Sequence, residues 1–276
     1  MSYKRILTIQ DISCVGQCSL TVALPILSAC GIETAILPSA VLSTHTAGFS
    51  GYTFRDLSSD MEGIRAHWVK ENIKFEAVYT GYLGSEKQVD YVLNICNDTL
   101  TENGKLFADP AMADNGKLYP GFDDNYVKAM QKLCCKADYI LPNITEACFL
   151  TGIEYKESYD REYVASLVSA MKKMGVKNII LTGVSYRAGM TGILVVEGDD
   201  ESYYEHELLP NSCHGTGDIY ASAFVGAMMS GKSAYDSAKI AADYTVDCIN
   251  ATKEEPGHWY GAKFEPVLSN LIEYLK

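Results

Sequence analysis

The run Cys213-His-Gly-Thr-Gly-Asp218 carries the sharpest chemical signal in the sequence. A Gly-Thr-Gly turn that opens a helix leaves successive N–H groups without intrahelical partners. It aims them outward, with the positive end of the helix dipole behind them. The amides of Gly215, Thr216 and Gly217 can therefore hold an anion without a lysine. Asp218 follows in the first helical turn, where a carboxylate is favoured and usually ionised. A second pattern, Asn143-Ile-Thr-Glu146, sets a carboxylate three residues after a capping asparagine. It serves equally as a plain helix start, a capping box in all but its first residue. Further polar groups stand at the ends of apolar runs: Gln10-Asp11, Ser43-Thr-His45-Thr46, Thr80-Gly-Tyr82, Asp109-Pro110 and Thr182-Gly-Val-Ser185. Singly, Asp109-Pro110 reads as a turn and His45 as a satisfied polar residue near the core. Their weight is joint: each stands at the end of a different apolar run, and together they converge on one edge.

Such groups need a scaffold that brings strand ends to one edge. Apolar runs rich in β-branched residues, at 6–9, 34–37, 77–80, 105–108, 138–141 and 178–182, alternate with stretches at helical spacing. Those stretches are 17–30, 54–72, 85–100, 123–135, 145–151 and 160–174. Two strand-like runs, 192–196 and 203–208, lie as close as a hairpin, and only helices follow, over 217–230, 234–251 and 263–275. The alternation predicts an α/β fold: a central, mostly parallel sheet, helices on both faces and an antiparallel pair at an edge. No linker, composition shift or repeat divides residues 1–276, so one domain is expected. In such sheets ligands sit beyond the carboxyl ends of the strands, where the polar groups are.

Composition narrows the partners. Against 23 Lys and Arg stand 35 Asp and Glu, a formal net charge of −12. That field repels nucleic-acid backbones and anionic membrane faces, so neither is an expected partner. A phosphate must be held locally, by amides, a metal or a few cations. No apolar run approaches the ~20 residues needed to span a bilayer. The N-terminal apolar stretch is too short for a signal peptide, so a cytoplasmic protein is expected. Nine scattered cysteines without a CxxC pair read as free thiols. Gly226-Ala-Met-Met-Ser-Gly-Lys-Ser233 fits the P-loop pattern letter for letter. The alanine-rich segment before it continues a helix, however, which makes Gly231 a helix stop and Ser233 the next cap.

Ile9-Gln10, His45-Thr46, Thr80-Gly-Tyr82, Asp109-Pro110, Pro142-Asn143-x-x-Glu146 and Gly215-Thr-Gly-Asp218 follow one another in a familiar order. In this the chain resembles the pyridoxal kinases of the ribokinase-like superfamily over nearly its whole length. The resemblance implies a three-layer fold, commonly a homodimer. It also implies ATP-dependent phosphorylation of the 5′-hydroxymethyl group of pyridoxal, pyridoxine or pyridoxamine, a vitamin B6 salvage reaction. Carried over by residue, Asp218 looks like the general base, and the amides of Gly215, Thr216 and Gly217 like the anion hole. Glu146, with Asp109 and Asn143, looks like the set that orients Mg²⁺. Thr182 and Thr216 look like contacts to ATP phosphates, and Asp114 and Tyr119 like parts of a flap over the nucleotide. Thr46 and Tyr82 look like the ring-binding pair, with His45 beside them. Whether a monovalent cation assists is left open.

Two positions depart from the family pattern. Asp11 stands where many pyridoxal kinases have a serine that reaches the pyridine nitrogen. A carboxylate there favours a protonated ring nitrogen, because a charge-assisted bond is the stronger one. His214 stands where a small apolar residue is usual. His-Gly-Thr-Gly is familiar from hydroxymethylpyrimidine kinases, although many of those carry cysteine where this chain has Asp218. The alternatives are therefore a hydroxymethylpyrimidine (phosphate) kinase or a bifunctional enzyme, a P-loop NTPase using Lys232, and a non-catalytic pyridoxal phosphate carrier. A carrier has no need of a base at 218.

Overall fold

The computed structural model describes residues 4–276 apart from 211, 212, 254 and 256. β1 (Arg5–Ser13) leads through a loop to α1 (Leu20–Ala29), β2 (Glu33–Leu42), a short β3 (Phe54–Asp56) and α2 (Ser58–Lys70). β4 (Phe75–Thr80), α3 (Glu86–Thr99) and β5 (Leu100–Ala108) follow, then the two-residue strands β6 (Ala113–Asp114) and β7 (Lys117–Leu118). α4 (Asp124–Cys134), β8 (Tyr139–Ile140), α5 (Ile144–Thr151), α6 (Arg161–Lys173) and β9 (Asn178–Val184) continue the alternation. The chain closes with β10 (Met190–Glu197), β11 (Asp200–Glu207), α7 (Thr216–Met229), α8 (Ala234–Lys253) and α9 (Leu268–Tyr274).

Nine strands form one sheet in the order β11-β10-β9-β8-β5-β4-β1-β2-β3, while β6 and β7 pair apart from it. The six central strands, from β9 to β2, are mutually parallel. β10 and β11 form the expected antiparallel edge, with Met190 opposite Glu207 and Glu197 opposite Asp200.

Strand alternation builds two cores, one on each face. Leu7 and Ile9 of β1, Val78 of β4 and Ile179 and Leu181 of β9 join the core covered by α2 to α6. Ile6, Ala77, Tyr79 and Ile180 point to the opposite face, against Val22 and Ile26 of α1, Phe224 of α7 and Tyr244 of α8. β1, β4 and β9 are thus buried on both sides, as strands inside a parallel sheet are.

Several boundaries differ from the sequence expectation. The stretch 54–72 is not helical throughout: residues 54–56 pair antiparallel with the end of β2. Asp56 Oδ1 then accepts the Ser58 N–H at 2.6 Å where α2 begins. The helix expected from 17 starts at Leu20, and residues 14–19 instead wrap the site. Pro266 divides the last stretch into a single 3-10 turn (Glu265–Val267) and α9. The P-loop look-alike lies in α7 and the turn after it. Gly231 has φ +93°, and Ser233 Oγ accepts the Asp236 N–H at 3.1 Å as a cap. All nine cysteines are free, and among the described residues no helix is long and apolar enough to cross a membrane.

Candidate active site

The start of α7 sets backbone amides beside a desolvated carboxyl. Gly215 sits at its N-cap in the left-handed conformation, φ +77°, with no side-chain cap. A Cβ there would lie 1.7 Å from the carbonyl oxygen of Gln17, so only glycine fits. Ile219 N–H already bonds the Gly215 carbonyl at 3.0 Å. The N–H groups of Thr216, Gly217 and Asp218 precede the first carbonyl that the helix could offer them. Thr216 Oγ1 turns back to the Cys213 carbonyl at 3.3 Å. Burial pushes the Asp218 carboxyl up to about 7, the Ser19 backbone amide opposes that, and the negative charge of Asp11 adds to it. A carboxyl near 7 is balanced between holding and releasing a proton at neutral pH, as a general base must be.

Ser19 escaped the sequence reading. It is buried, at the entry to α1, with φ +55° and ψ −133°, a backbone region that L-residues other than glycine rarely occupy. Its carbonyl accepts the N–H groups of Val22 and Ala23 at 3.0 and 2.9 Å. Its amide works on Asp218 and its hydroxyl on Asp11, in each case favouring the charged carboxylate. No local sequence pattern signals such a residue, because its role comes from where the loop 14–19 is laid.

Asp11 is buried near the carboxyl end of β1. It stands where the β1–β2 register slips, opposite both Ser39 and Ala40, because β2 carries one residue more than β1 between the flanking pairs. Asp11 is 4% exposed, and Ser13 Oγ donates to its Oδ2 at 2.9 Å. Burial raises its proton affinity, while Ser19, Ser13, its own amide and His45 oppose the shift. Tyr82 is half-buried, its phenol pushed up to about 12 by burial and by the charge of Asp11. Its ring lies 5.4 Å from that of Phe122.

His45 is buried with both ring nitrogens engaged. Ala47 N–H donates to Nδ1 at 3.2 Å, so Nδ1 is an acceptor. Nε2, then the protonated nitrogen, donates to the Tyr260 carbonyl at 2.7 Å. The ring face is what remains for a ligand. Thr46 is exposed, as is His214, whose ring lies 5.5 Å from that of His45. Burial, followed by the proximity of His45, makes His214 harder to protonate.

A second carboxylate group forms at the ends of β5 and β8. Asn143 and Glu146 make a complete capping box. Glu146 N–H bonds Asn143 Oδ1, and Asn143 N–H bonds Glu146 Oε2, both at 2.9 Å. Glu146 Oε1 accepts the Met112 N–H at 3.1 Å, and Asn143 Nδ2 donates to the Ala113 carbonyl at 2.9 Å. Glu146 and Asp109 are 3% and 8% exposed. Burial raises the proton affinity of both. The neighbouring charges of Glu146 and Asp218 raise Asp109 further.

Neither carboxyl has a lysine or arginine partner among the described residues. Two buried carboxyls without a cation form a place for a hard divalent cation. No three His, Cys, Asp or Glu side chains close on one point among the described residues. The donor set therefore fits Mg²⁺, which is usually bound through one or two carboxylates with substrate phosphates and water.

The strands β6 and β7 form a small flap beside this group. Asp114 is exposed on it and holds the Asn115 N–H at 2.8 Å. The Gly116 N–H is tied to Thr145 Oγ1 at 3.1 Å. Tyr119 follows the flap, its N–H on the Met112 carbonyl at 2.8 Å. Burial and the charges of Glu146 and Asp109 raise its phenol. Beyond lies a cleft of about 600 Å³, lined among others by Asp114, Asn143, Thr145, Thr182 and Tyr159. Thr182 Oγ1 reaches the Pro142 carbonyl at 3.4 Å.

The fold thus gathers the predicted residues into two adjoining groups. Asp11, His45 and Tyr82 make one group, Asp109, Glu146 and the cleft make a second, and Asp218 couples to a carboxyl of each. Its charge registers on Asp109, and the charge of Asp11 registers on it in turn. Such an array can align an alcohol with an anionic donor, take the proton and stabilise charge on transferred oxygens. Those are the main demands of phosphoryl transfer.

The chain is similar to known proteins over most of its length. The family model described as phosphomethylpyrimidine kinase matches residues 26–263. A Bacteroides thetaiotaomicron protein carrying the name phosphomethylpyrimidine kinase, in a crystal form with pyridoxal, superposes with a TM-score of 0.91 at 35% identity. That match covers 98% of this chain and 96% of the other. The pyridoxal kinase of Lactobacillus plantarum gives a TM-score of 0.90 at 30% identity, over 99% and 98% of the two chains. The pyridoxal kinase of Dictyostelium discoideum is 29% identical over 239 residues, 80% of this chain and 77% of its own.

Proposed function

The chain belongs to the phosphomethylpyrimidine kinase family, and from that premise we propose that it transfers the γ-phosphoryl group of ATP to the 5′-hydroxymethyl group of pyridoxal, pyridoxine or pyridoxamine. We read residues 1–276 as one kinase domain acting in the cytoplasm as a homodimer. The observation that carries the reading is the Asp218 carboxyl, raised to about 7, in the same helix turn as the unpaired amides of Thr216 and Gly217.

In this mechanism the alcohol lies between Asp218 and the donor phosphate. Asp218 takes the hydroxyl proton as the new oxygen–phosphorus bond forms and the bond from the γ-phosphorus to the β–γ bridging oxygen breaks, which releases ADP. The N–H groups of Gly215, Thr216 and Gly217 face the equatorial oxygens, where each such donor contributes on the order of 3 kcal/mol in comparable holes. Mg²⁺, when bound, supplies positive charge against the phosphates. Asp109 and Glu146 would hold it, with Asn143 fixing the orientation of Glu146. Thr182, Thr216 and Asn143 line the phosphate path, and Asp114 and Tyr119 cover it. Asp11 receives the ring nitrogen in its protonated form, since a buried carboxylate without a cation is best compensated by a cationic ligand. Tyr82 and Thr46 hold the ring, with the face of His45 beside it and His214 at its rim.

A second reading, a hydroxymethylpyrimidine kinase or a bifunctional enzyme, draws on His214 and on the family's name. Haemophilus influenzae has a hydroxymethylpyrimidine/phosphomethylpyrimidine kinase that is 25% identical over 90% of this chain. One experiment separates the readings: ATP consumption with Mg²⁺, with the three vitamers and the pyrimidine alcohol side by side, for wild type and Asp218→Asn. Vitamer turnover that Asp218→Asn abolishes is expected. Turnover of the pyrimidine alone would replace the proposal with the second reading.

A further inference from the structure

A piece of chain remote in sequence closes the outer side of the acceptor pocket. Residues 258–262 cross the loops that build the site and are stitched to three of them. The Tyr260 carbonyl takes His45 Nε2 at 2.7 Å and the Gln17 N–H at 3.4 Å. The Ala262 N–H donates to the His214 carbonyl at 3.0 Å. Just beyond, Glu265 Oε1 accepts Gln17 Nε2 at 2.7 Å. The strap is therefore part of the site's frame.

It carries Trp259. The indole leans on Phe49 with ring centroids 4.6 Å apart. Phe49 meets His45 edge-on at 5.0 Å, and His45 lies 5.5 Å from His214. A row of rings thus runs from the residue before Gly215 out to Trp259. Gly48, at φ +85°, makes room for the indole, because a Cβ there would lie 2.8 Å from a ring carbon. Yet Trp259 remains 49% exposed. About half of its surface stays open, at the end of a row that begins at His214 beside the start of α7.

We propose that Trp259 contacts the acceptor, forming the outer wall of its pocket and selecting for flat aromatic alcohols. The proposal rests on the acceptor reading given above. Asp11 makes the floor, with Tyr82 and His45 both acting on it or feeling its charge. The second wall then continues from His45 through Phe49 to the indole. Aromatic rings pair offset or edge-on at ~4.5–7 Å between centroids, the spacing already present along the row. A sugar or aliphatic alcohol would gain far less from such a wall.

Two measurements test the assignment. Steady-state kinetics of Trp259→Ala should show a pyridoxal KM raised about tenfold. The kcat and the KM for ATP should stay within about twofold, and Trp259→Phe should recover most of the loss. The chain has two tryptophans, and Trp68 packs on Phe75 at 5.5 Å. Trp68→Phe therefore leaves Trp259 as sole reporter, and pyridoxal without ATP should quench its emission saturably near the KM. An unchanged pyridoxal KM, parallel shifts in kcat and both KM values, or the absence of a saturable quench would each overturn the proposal. Failure of the wild type to phosphorylate any vitamer would instead count against the vitamin B6 reading, because the quench titration uses no turnover.

Discussion

The left-handed turn at Gly215 lies directly against the carbonyl of Gln17, which leaves no space for a side chain: a Cβ would sit 1.7 Å from that oxygen. The obstacle is backbone and cannot swing aside. The loop after β1 and the N-terminus of α7 are thereby locked together, and the amides that open α7 take their position from that contact.

Gly215→Ala must both strain a φ of +77° and displace the loop. Strain of this kind costs ~1–3 kcal/mol, so the melting temperature should fall by about 5 °C in a chain of this size. Because the amides move, kcat should fall at least about 100-fold. Calorimetry and a turnover assay on the same preparation check both. Full activity in Gly215→Ala would remove the anion hole from this turn.

Asn143 and Glu146 exchange backbone bonds at 2.9 Å, but their substitutions should separate. Asn143→Ala loses the cap and the tie to the Ala113 carbonyl. A cost of ~1 kcal/mol for the cap predicts a melting point lower by about 2–4 °C. Glu146→Gln keeps a carbonyl oxygen for one of its amide partners and removes a buried charge. It should melt no lower than wild type, yet lose about 100-fold or more in kcat/KM at limiting Mg²⁺. Loss of stability without loss of activity in Glu146→Gln would make the residue a cap and nothing more.

Much of this was legible in the sequence, because alternating apolar runs and helical stretches leave few topologies. The six parallel strands, the late hairpin and the polar strand ends all follow from local pattern. β3 did not: residues 54–56 are exposed and polar enough to read as helix, and only pairing with β2 makes them strand. The flap strands are two residues each, too short for any periodicity. Among site residues, Asp218, Glu146 and Asp109 stand in recognisable runs. Ser19 and Trp259 do not, since one acts through an uncommon backbone conformation and the other arrives from the far end of the chain. His45 was legible as a position but not as a role, because its two hydrogen bonds reach Ala47 and Tyr260.

Lys232 offers a clean negative. Its P-loop-like run begins at Gly226 inside α7, and the Lys232 N–H bonds the Ala227 carbonyl at 3.2 Å as part of the helix's end. A P-loop follows a strand, whereas this run starts inside the helix Thr216–Met229. Lys232→Ala should keep kcat and the KM for ATP within about twofold of wild type. A collapse of ATP binding in this variant would move the nucleotide to the opposite end of α7.

The pH profile gives the most demanding test. Asp218 must be ionised to accept a proton, and burial raises its carboxyl from 3.8 to about 7. The value of kcat/KM should therefore fall about tenfold per unit below an apparent pKa near 7, and Asp218→Asn should leave a low, flat line. Asp11 contributes to the elevation, so Asp11→Asn should move the acid limb to lower pH. The same group sets a slope in stability. Between its ordinary value and 7 the folded state holds the proton more tightly than the unfolded chain does, so stability falls as pH rises through that window. Asp218→Asn removes the slope, and its melting point should exceed wild type at pH 8 but match it at pH 4. An acid limb that persists unchanged in Asp218→Asn would assign the proton to another group.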